Sequence, residues 1–147
     1  VNAGYSEDII HWHSTHRQVK IHLFCDRTDM KDETVIDGTL IFHKLNDKKF
    51  LSMMQNCLGY ASTAGFESIC EAMYLGKPVM MVPPKGHFEQ QCNALDAELA
   101  GAGIQSDFFD LSRLLDYIPM HDDSDALKFK TWTQSADALF TAHLLNA

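Results

Sequence analysis

The fold is decided by the stretch Gly65-Phe-Glu-Ser-Ile-Cys-Glu-Ala-Met-Tyr-Leu-Gly-Lys-Pro-Val-Met-Met-Val82. From Phe66 onward its apolar residues recur at helical spacing, which predicts a helix from Gly65 to Leu75. Gly76 and Pro78 end this helix. The run from Val79 to Val82 is apolar on both faces, and such runs are typical of buried central strands in parallel sheets.

The rest of the chain repeats this alternation of short apolar runs and helical patterns. Strands are predicted at 19–24 and 39–42, and helices at 7–17, 46–56, 88–100, 111–117 and 124–145. Such alternation implies a parallel sheet. We therefore predict a single α/β domain over residues 1–147, a doubly wound, Rossmann-like parallel sheet with helices on both faces.

Length, composition and charge limit the class of protein. A chain of 147 residues with 46% hydrophobic residues suits one domain and excludes long disorder. The net charge of -8 repels nucleic acid and anionic lipid surfaces. No apolar run approaches the roughly 20 residues that a transmembrane helix needs. We expect neither a nucleic-acid partner nor a transmembrane segment.

The cysteines indicate the cellular compartment of the protein, and the first residues indicate whether the chain is a fragment. Cys25, Cys57, Cys70 and Cys92 form no CxxC pair and lie among apolar residues, as reduced thiols of a cytosolic protein do. The opening Val1-Asn-Ala-Gly-Tyr5 looks like the end of a strand that enters a glycine turn. We therefore expect a cytoplasmic protein of which this chain is a fragment.

Two strand-to-helix turns carry the candidate chemistry, because ligands of such sheets bind beyond the carboxyl ends of the strands. In the first, Gly65 leaves the N–H groups of a helix start open to a phosphate. Ser68 adds a hydroxyl, and the Glu71 carboxylate suits the paired hydroxyls of a ribose. The alternative is that Gly65 only relieves a tight turn, while Glu67 and Glu71 are solvated.

The second turn follows the strand that ends near Val82. Glu89 and Gln90 occupy the first turn of the next helix, where they offer several hydrogen-bonding groups to sugar hydroxyls. The alternative is that Glu89 merely complements the helix dipole.

Taken together, the two turns resemble a known family. Gly65, Glu71, Gly76 and Pro78, followed by Glu89-Gln-Gln-Cys-Asn-Ala94, look like the donor-binding segment of GT-B glycosyltransferases. The stretch is similar to MurG-type N-acetylglucosaminyltransferases and to UDP-glycosyltransferases. The resemblance is strong over residues 58–104, and it implies the C-terminal, nucleotide-sugar-binding half of a GT-B architecture.

The resemblance implies a role for each matched position. These roles are diphosphate binding by Gly65 and Ser68, ribose binding by Glu71, and donor-sugar binding by Glu89, Gln90 and Gln91. The resemblance also implies a nucleobase beside Lys44 and Leu45 and a glycine-rich loop at Gly4. It implies no catalytic residue in this chain, no cofactor and no metal, because the start of the helix near Gly65 would stabilise the departing diphosphate.

The activity implied is sugar transfer from a nucleotide diphosphate sugar, with UDP expected, to an unknown acceptor. The family's N-terminal acceptor-binding domain is absent, so the chain alone is expected to bind the donor and transfer nothing. Thr63 occupies the position at which plant and animal enzymes have histidine, and this difference is expected of a bacterial-like branch. The full-length protein would then lie in the cytoplasm or peripherally at the inner membrane.

Three alternatives stay open. A UDP-sugar 2-epimerase would share the architecture, but its Arg-containing loop is replaced here by Pro84-Lys-Gly-His-Phe-Glu89. A non-catalytic nucleotide-sugar-binding subunit would need a partner chain. A purely structural flavodoxin-like module would leave the spacing from Gly65 to Ala94 unexplained.

Other patterns have simpler explanations. His11, His13 and His16 invite a metal site, but adjacent members point to different helix faces, and a polar surface helix explains them better. The acidic run from Asp122 to Asp125 is typical of a helix start. The apolar face of the last predicted helix is expected to be exposed and to cause self-association; it comprises Trp132, Leu139, Phe140 and Leu144.

Overall fold

The computed structural model describes residues 3–26 and 30–145. The helices are α1 (Ala3–Thr15), α2 (Asp47–Asn56), α3 (Phe66–Tyr74), α4 (Phe88–Leu99), α5 (Leu111–Tyr117), α6 (Ser124–Gln134) and α7 (Ala136–Leu145), with a short 3-10 helix at Ile118–Met120. The strands are β1 (Ile21–Cys25), β2 (Glu33–Val35), β3 (Leu40–Lys44), β4 (Tyr60–Ser62), β5 (Val79–Met81) and β6 (Gly103–Gln105).

The strands form two three-stranded sheets. One is wholly parallel, with β5 between β4 and β6, and it pairs Ser62 with Met81 and Val79 with Gly103. In the other, β1 pairs with β3 in parallel, and β2 runs antiparallel on the outer side of β3. The predicted α/β fold is confirmed, but the strands form two sheets instead of one, and the edge strand β2 was not predicted.

Helices cover both faces of the strands. On one face, α1 and α5 pack on β1, β3 and β5 through a core formed by Ile9, Trp12, Leu23, Cys25, Leu40, Phe42, Met80, Val82, Phe109, Leu111 and Leu114. On the other, α2, α3 and α4 pack through Met54, Ala64, Ile69, Ala72, Met73, Val79, Met81, Ala94 and Ala102. Successive residues of β5 thus enter opposite cores, which explains why this strand is apolar throughout. Each large core side chain contributes about 1.5–3 kcal/mol.

Strand β6 was not predicted from the sequence. A Cβ atom at Gly103 would collide with the backbone of Val79 on the neighbouring strand. The glycine is therefore needed for close approach between strands. From the sequence alone, such a glycine cannot be distinguished from one in a turn.

Several boundaries also differ from those predicted. Helix α1 begins at Ala3 and ends at Thr15, whereas the sequence predicted a helix over 7–17. The helix predicted over 124–145 is interrupted at Ser135 and forms α6 and α7. Among the described residues, no helix is both long enough and apolar enough to cross a bilayer.

Candidate functional site

The carboxyl ends of β4 and β5 bring the two predicted turns together. These strands are parallel neighbours, so the turn after Ser62 and the turn after Met81 leave the sheet at one edge. Asn93 on α4 donates a hydrogen bond from Nδ2 to the carbonyl oxygen of Ala64, at 3.3 Å. The two segments are therefore joined directly, although 29 residues separate them in sequence.

The backbone of the first turn is held in a demanding conformation. Ala64 has a φ of 64°, in the left-handed region, and its side chain is fully buried. This conformation costs a non-glycine residue about 1–2 kcal/mol. The Oγ atom of Ser62 accepts a hydrogen bond from the Ala64 N–H at 3.1 Å and so supports the turn.

Gly65 has an ordinary conformation, with φ at -66° and ψ at 129°. The alternative interpretation is that this glycine relieves a tight turn. The strained residue of the turn, however, is Ala64, one residue earlier. A Cβ atom at Gly65 would lie 3.8 Å from the Ser68 Oγ atom, in ordinary contact. The absence of a side chain leaves the start of α3 open to approach.

The N-terminus of α3 carries no side-chain cap. Its N-cap residue is Gly65, and the first N–H group that bonds back along the helix is that of Ile69, which donates to the Gly65 carbonyl oxygen. Helix α4 also begins without a side-chain cap, after His87. By contrast, Asn46 caps α2 and Asp110 caps α5. The helices after β4 and β5 thus present unsatisfied N–H groups at the same edge of the sheet.

Ser68 and Glu71 lie on α3 as the sequence predicts. The Ser68 hydroxyl donates to the Gly65 carbonyl oxygen at 3.1 Å, so it has to exchange this bond before it can donate to a phosphate. Burial raises the pKa of the half-buried Glu71 carboxyl, and the nearby Glu67 and Asp47 carboxylates raise it further. The influence of Asp47 places the start of α2, directly after Leu45 and Asn46, near Glu71.

The three candidate donor-sugar residues occupy different environments. Glu89 and Gln91 are exposed, whereas Gln90 is half-buried. The Oε1 atom of Gln90 is enclosed and has no hydrogen-bond partner among the residues that the structure describes. An enclosed, unpaired amide oxygen is costly, so a ligand hydroxyl at this atom would be favourable.

The more distant candidates lie at element ends. Lys44 is the last residue of β3, and its ammonium group lies 4.0 Å from the Asp32 carboxylate. Leu45 follows it and is exposed. Gly4 lies in the first turn of α1, not in a loop before that helix.

Three residues that support the site were not identified from the sequence. Asn93 belongs to the motif, but the resemblance implies no role for it. Ser62 lies two residues before Ala64, and this spacing is the usual signal of a serine side chain that supports a turn. Tyr60 begins β4, the strand that leads into the first turn, and its ring lies 5.7 Å from that of Phe50 between centroids, a contact that only the packing reveals.

The histidines of α1 do not converge. His13 is buried and contacts the Val19 carbonyl oxygen at 3.2 Å, which corrects, for this residue, the prediction of a polar surface helix. The His16 ring stacks on Trp12 with 4.0 Å between ring centroids, and His11 is exposed. Within residues 3–26 and 30–145, no group of three or more His, Cys, Asp or Glu side chains is arranged to hold a metal ion.

A groove of about 540 Å³ lies elsewhere, between α1 and the segment before α5. It is lined by Asp8, His11, Trp12, Thr15, His16, Phe108, Phe109, Asp110 and Ser112. None of the predicted donor-site residues lines it. The predicted site is an open surface at the sheet edge, and this groove is separate from it.

Comparison with solved structures supports the fold. The crystal structure described as the glycotransferase of kitacinnamycin matches with a TM-score of 0.64 at 16% sequence identity, over 97% of this chain and 38% of that chain. The present chain thus spans well under half the length of that protein. No curated protein matches the chain.

A family model matches most of the sequence. The model for glycosyl transferase family 1 covers residues 7–119, which include both turns and all but one of the predicted site residues, Gly4. This match extends over more than half of the 147 residues. The chain therefore belongs to glycosyl transferase family 1.

Proposed function

We propose that this chain is the donor-binding domain of a glycosyltransferase and that it binds a nucleotide diphosphate sugar, with UDP as the nucleotide. The observation that carries the proposal is the uncapped N-terminus of α3, at the edge where the turns after β4 and β5 meet. Such a helix end offers free N–H donors and the positive end of the helix dipole to an anion.

The diphosphate would lie against the start of α3. A positive local potential is needed there because the chain as a whole carries a charge of -8. The N–H groups at this end are held by a turn that is already formed, so little reorganisation is needed as negative charge develops on the departing diphosphate. In this proposal the helix end performs the task of a divalent metal, and transfer needs none.

The ribose would bind at Glu71. A carboxylate only accepts hydrogen bonds, so it matches two adjacent hydroxyl groups. Its neighbours Glu67 and Asp47 raise its pKa, and donation from ribose hydroxyls would relieve part of this crowding of negative charge. The loop with Lys44 and Leu45 leads into the helix that begins with Asp47, so the nucleobase would lie on that side of Glu71.

The donor sugar would lie over the start of α4. The unpaired Oε1 atom of Gln90 is a ready acceptor for a sugar hydroxyl. The exposed Glu89 and Gln91 would contact the sugar from the solvent side. This division of roles would explain why a Glu-Gln-Gln sequence, and not a single polar residue, follows Phe88 in the first turn of the helix.

The remaining parts of the proposal concern the whole protein. We place the acceptor-binding domain and the catalytic base outside this chain, so the chain alone would bind the donor without transferring the sugar. The free cysteines Cys25, Cys57, Cys70 and Cys92 suit a reducing compartment, and we propose a cytoplasmic, MurG-like transferase.

Calorimetric titration with UDP, GDP and their sugar conjugates tests the proposal. UDP is expected to bind saturably, and Glu71→Gln is expected to weaken binding roughly tenfold or more, because hydrogen bonds to a charged group are worth about 1.5–3 kcal/mol. Glu67→Gln, one turn earlier on the exposed side of α3, is the matched control: it removes a carboxylate from the first turn of the helix, so UDP affinity should stay the same or rise. Equal effects of the two variants would refute ribose binding at Glu71.

The metal-independent part of the proposal has its own test. UDP affinity measured with EDTA is expected to equal that measured without it. If binding disappears with EDTA and returns with Mg²⁺ or Mn²⁺, the role assigned to the start of α3 is wrong.

A further inference from the structure

A row of four polar side chains connects the three strands of one sheet to α2. The Nδ1 atom of His22 on β1 lies 2.8 Å from the Nε2 atom of His43 on β3. The Nδ1 atom of His43 lies 3.6 Å from the Oε2 atom of Glu33, its cross-strand partner on β2. The same Oε2 atom accepts a hydrogen bond from the Lys49 ammonium group of α2, at 2.6 Å. The row therefore ends on the helix that follows β3.

Glu33 joins the two sides of the β3–α2 loop, which consists of Leu45 and Asn46. His43 lies on the strand before this loop, and Lys49 lies in the first turn of the helix after it. Since both side chains contact one carboxylate oxygen, Glu33 forms a bridge across the loop. Asn46 Oδ1 also accepts a hydrogen bond from the Lys49 N–H, at 3.0 Å. Lys49 is thus fixed through both its main chain and its side chain.

The Glu33 carboxylate also decides where the proton of His43 lies. His43 is fully buried, and its Nδ1 atom has no hydrogen-bond partner among the residues that the structure describes. A bare Nδ1 lone pair would face the negative carboxylate, whereas an Nδ1–H group is attracted to it. His43 therefore carries its proton on Nδ1, and its Nε2 atom accepts the Nδ1–H of His22. Burial lowers the pKa of both rings, so both are neutral at pH 7.5.

Ring packing fixes the buried end of the row. The Phe24 ring stacks on His43 with 4.9 Å between ring centroids, and it meets the Phe50 ring of α2 edge to face at 5.2 Å. A surface ion pair by itself orders its surroundings little, because water screens it and both side chains are free to move. Here the exposed Glu33 lies against a buried ring, so it is held from one side and can orient Lys49 on the other.

We propose that Glu33 is a positioning residue for the nucleobase. Its carboxylate, held by His43 and joined to Lys49, keeps the β3–α2 loop in the place that a nucleobase requires. This inference rests on the proposed function, which puts the nucleobase beside this loop. Glu33 itself would touch neither the base nor the ribose.

Two variants remove the bridge from opposite sides and change the charge in opposite directions. Glu33→Met removes the carboxylate, and Lys49→Met removes the ammonium group. Lys128→Met is the matched control, because Lys128 donates to the Asp125 carboxylate at 2.7 Å within α6, in a different part of the fold. Uridine and inorganic pyrophosphate are titrated into the whole chain by NMR.

We expect Glu33→Met and Lys49→Met to weaken uridine binding alike, by about two- to fivefold, because each breaks the same ion pair. Uridine is uncharged, so the opposite changes of charge do not affect it directly. Pyrophosphate binding should not weaken in Glu33→Met, since this variant removes a negative charge. Lys128→Met should bind uridine as tightly as the unaltered chain does.

Unchanged uridine affinity in either variant would overturn the positioning role and leave the proposed function standing. Equal losses of uridine and pyrophosphate affinity in Glu33→Met would also overturn it, because they would show a general structural effect. If the unaltered chain binds no uridine, the proposed place of the nucleobase is wrong, and this inference fails with it.

NMR of the ring nitrogens gives a second readout that needs no ligand. At pH 7.5 the unaltered chain and Lys49→Met are expected to carry the His43 proton on Nδ1. Glu33→Met is expected to populate the Nε2–H form as well, because the carboxylate that favours the Nδ1–H form is gone. An Nε2 proton on His43 in the unaltered chain, or an unchanged single tautomer in Glu33→Met, would overturn the role of the carboxylate.

Discussion

Asn93 and Ala64 are joined by a hydrogen bond from the side-chain amide to the main-chain carbonyl oxygen, at 3.3 Å, across the two turns of the candidate site. The acceptor belongs to a buried residue in the left-handed region, so few other partners can reach it. This contact couples the start of α4 to the start of α3. The two parts of the site are therefore expected to respond together when it is lost.

Asn93→Ala is expected to destabilise the chain by about 1–3 kcal/mol, because it leaves a buried carbonyl group without its partner. Asn56→Ala is the control, since Asn56 also donates from Nδ2 to a main-chain oxygen, that of Ser52, but in an exposed position. Thermal unfolding of both variants measures the two losses of stability. A loss for Asn56→Ala as large as that for Asn93→Ala would contradict the special role of the contact.

Gly65→Ala is expected to separate stability from binding. The φ of -66° suits alanine, and the new Cβ atom meets nothing closer than the Ser68 Oγ atom at 3.8 Å. The reduced freedom of the unfolded chain favours alanine by up to about 1 kcal/mol, but alanine is the poorer N-cap residue, so the free energy of unfolding should change by less than about 1 kcal/mol. UDP affinity should fall roughly tenfold, about 1.4 kcal/mol, because the methyl group stands in front of the open helix end.

The control for this variant is Gly38→Ala, at an exposed position where a Cβ atom would meet nothing within 4 Å. Unfolding curves and UDP titrations are recorded for both. Full UDP affinity in Gly65→Ala would show that the diphosphate does not approach α3 at this residue.

The paired histidines His22 and His43 are expected to make the fold sensitive to mild acid. His22 Nδ1 lies 2.8 Å from His43 Nε2, and His43 is fully buried. Burial lowers the pKa of each ring, and the Lys49 ammonium group lowers both further, although the Glu33 carboxylate opposes these effects. The unfolded chain thus binds protons more tightly at these sites than the folded chain does.

Stability should therefore fall as the pH drops from 7.5 through 6.5 toward the lowered pKa values of the folded state. Thermal midpoints measured between pH 5.5 and 7.5 test this, in a range where carboxyl groups of ordinary pKa stay ionised. His22→Gln should flatten the pH dependence, whereas the exposed His11→Gln should preserve it. If the thermal midpoints of the unaltered chain and of His22→Gln change with pH in parallel, the histidine pair is not the cause of the pH dependence.

The C-terminal helices are expected to drive self-association. Phe140 is 70% exposed and Leu144 is 78% exposed on α7, and Trp132 on α6 is 62% exposed. Neighbouring apolar side chains of this size mark association surfaces in soluble proteins. Light scattering should show a mass that rises with concentration, and Phe140→Ser should reduce the rise. Leu58→Ser is the control, because Leu58 is also an exposed apolar residue but lies between α2 and β4, and this change should not reduce the rise. A strictly monomeric chain would refute this prediction.

The sequence by itself determined the alternation of helices and strands, because periodicity and chain-breaking residues act locally. The unbroken apolar run at β5 predicted a strand between two cores, and the structure confirms this burial on both faces. The two strand-to-helix turns were also predicted from local signals, such as Gly65 at a helix start. Their roles in binding stay predictions.

Only the tertiary structure decided how distant groups meet. The strain at Ala64, the bridge from Asn93 and the packing of the Tyr60 ring on Phe50 depend on which strands are neighbours and how their helices pack. The close approach of β6 to β5 at Gly103 is likewise invisible locally. Hydrogen bonds and packing between residues far apart in sequence leave no periodic pattern, since any residue of suitable chemistry can serve once the fold has brought it there.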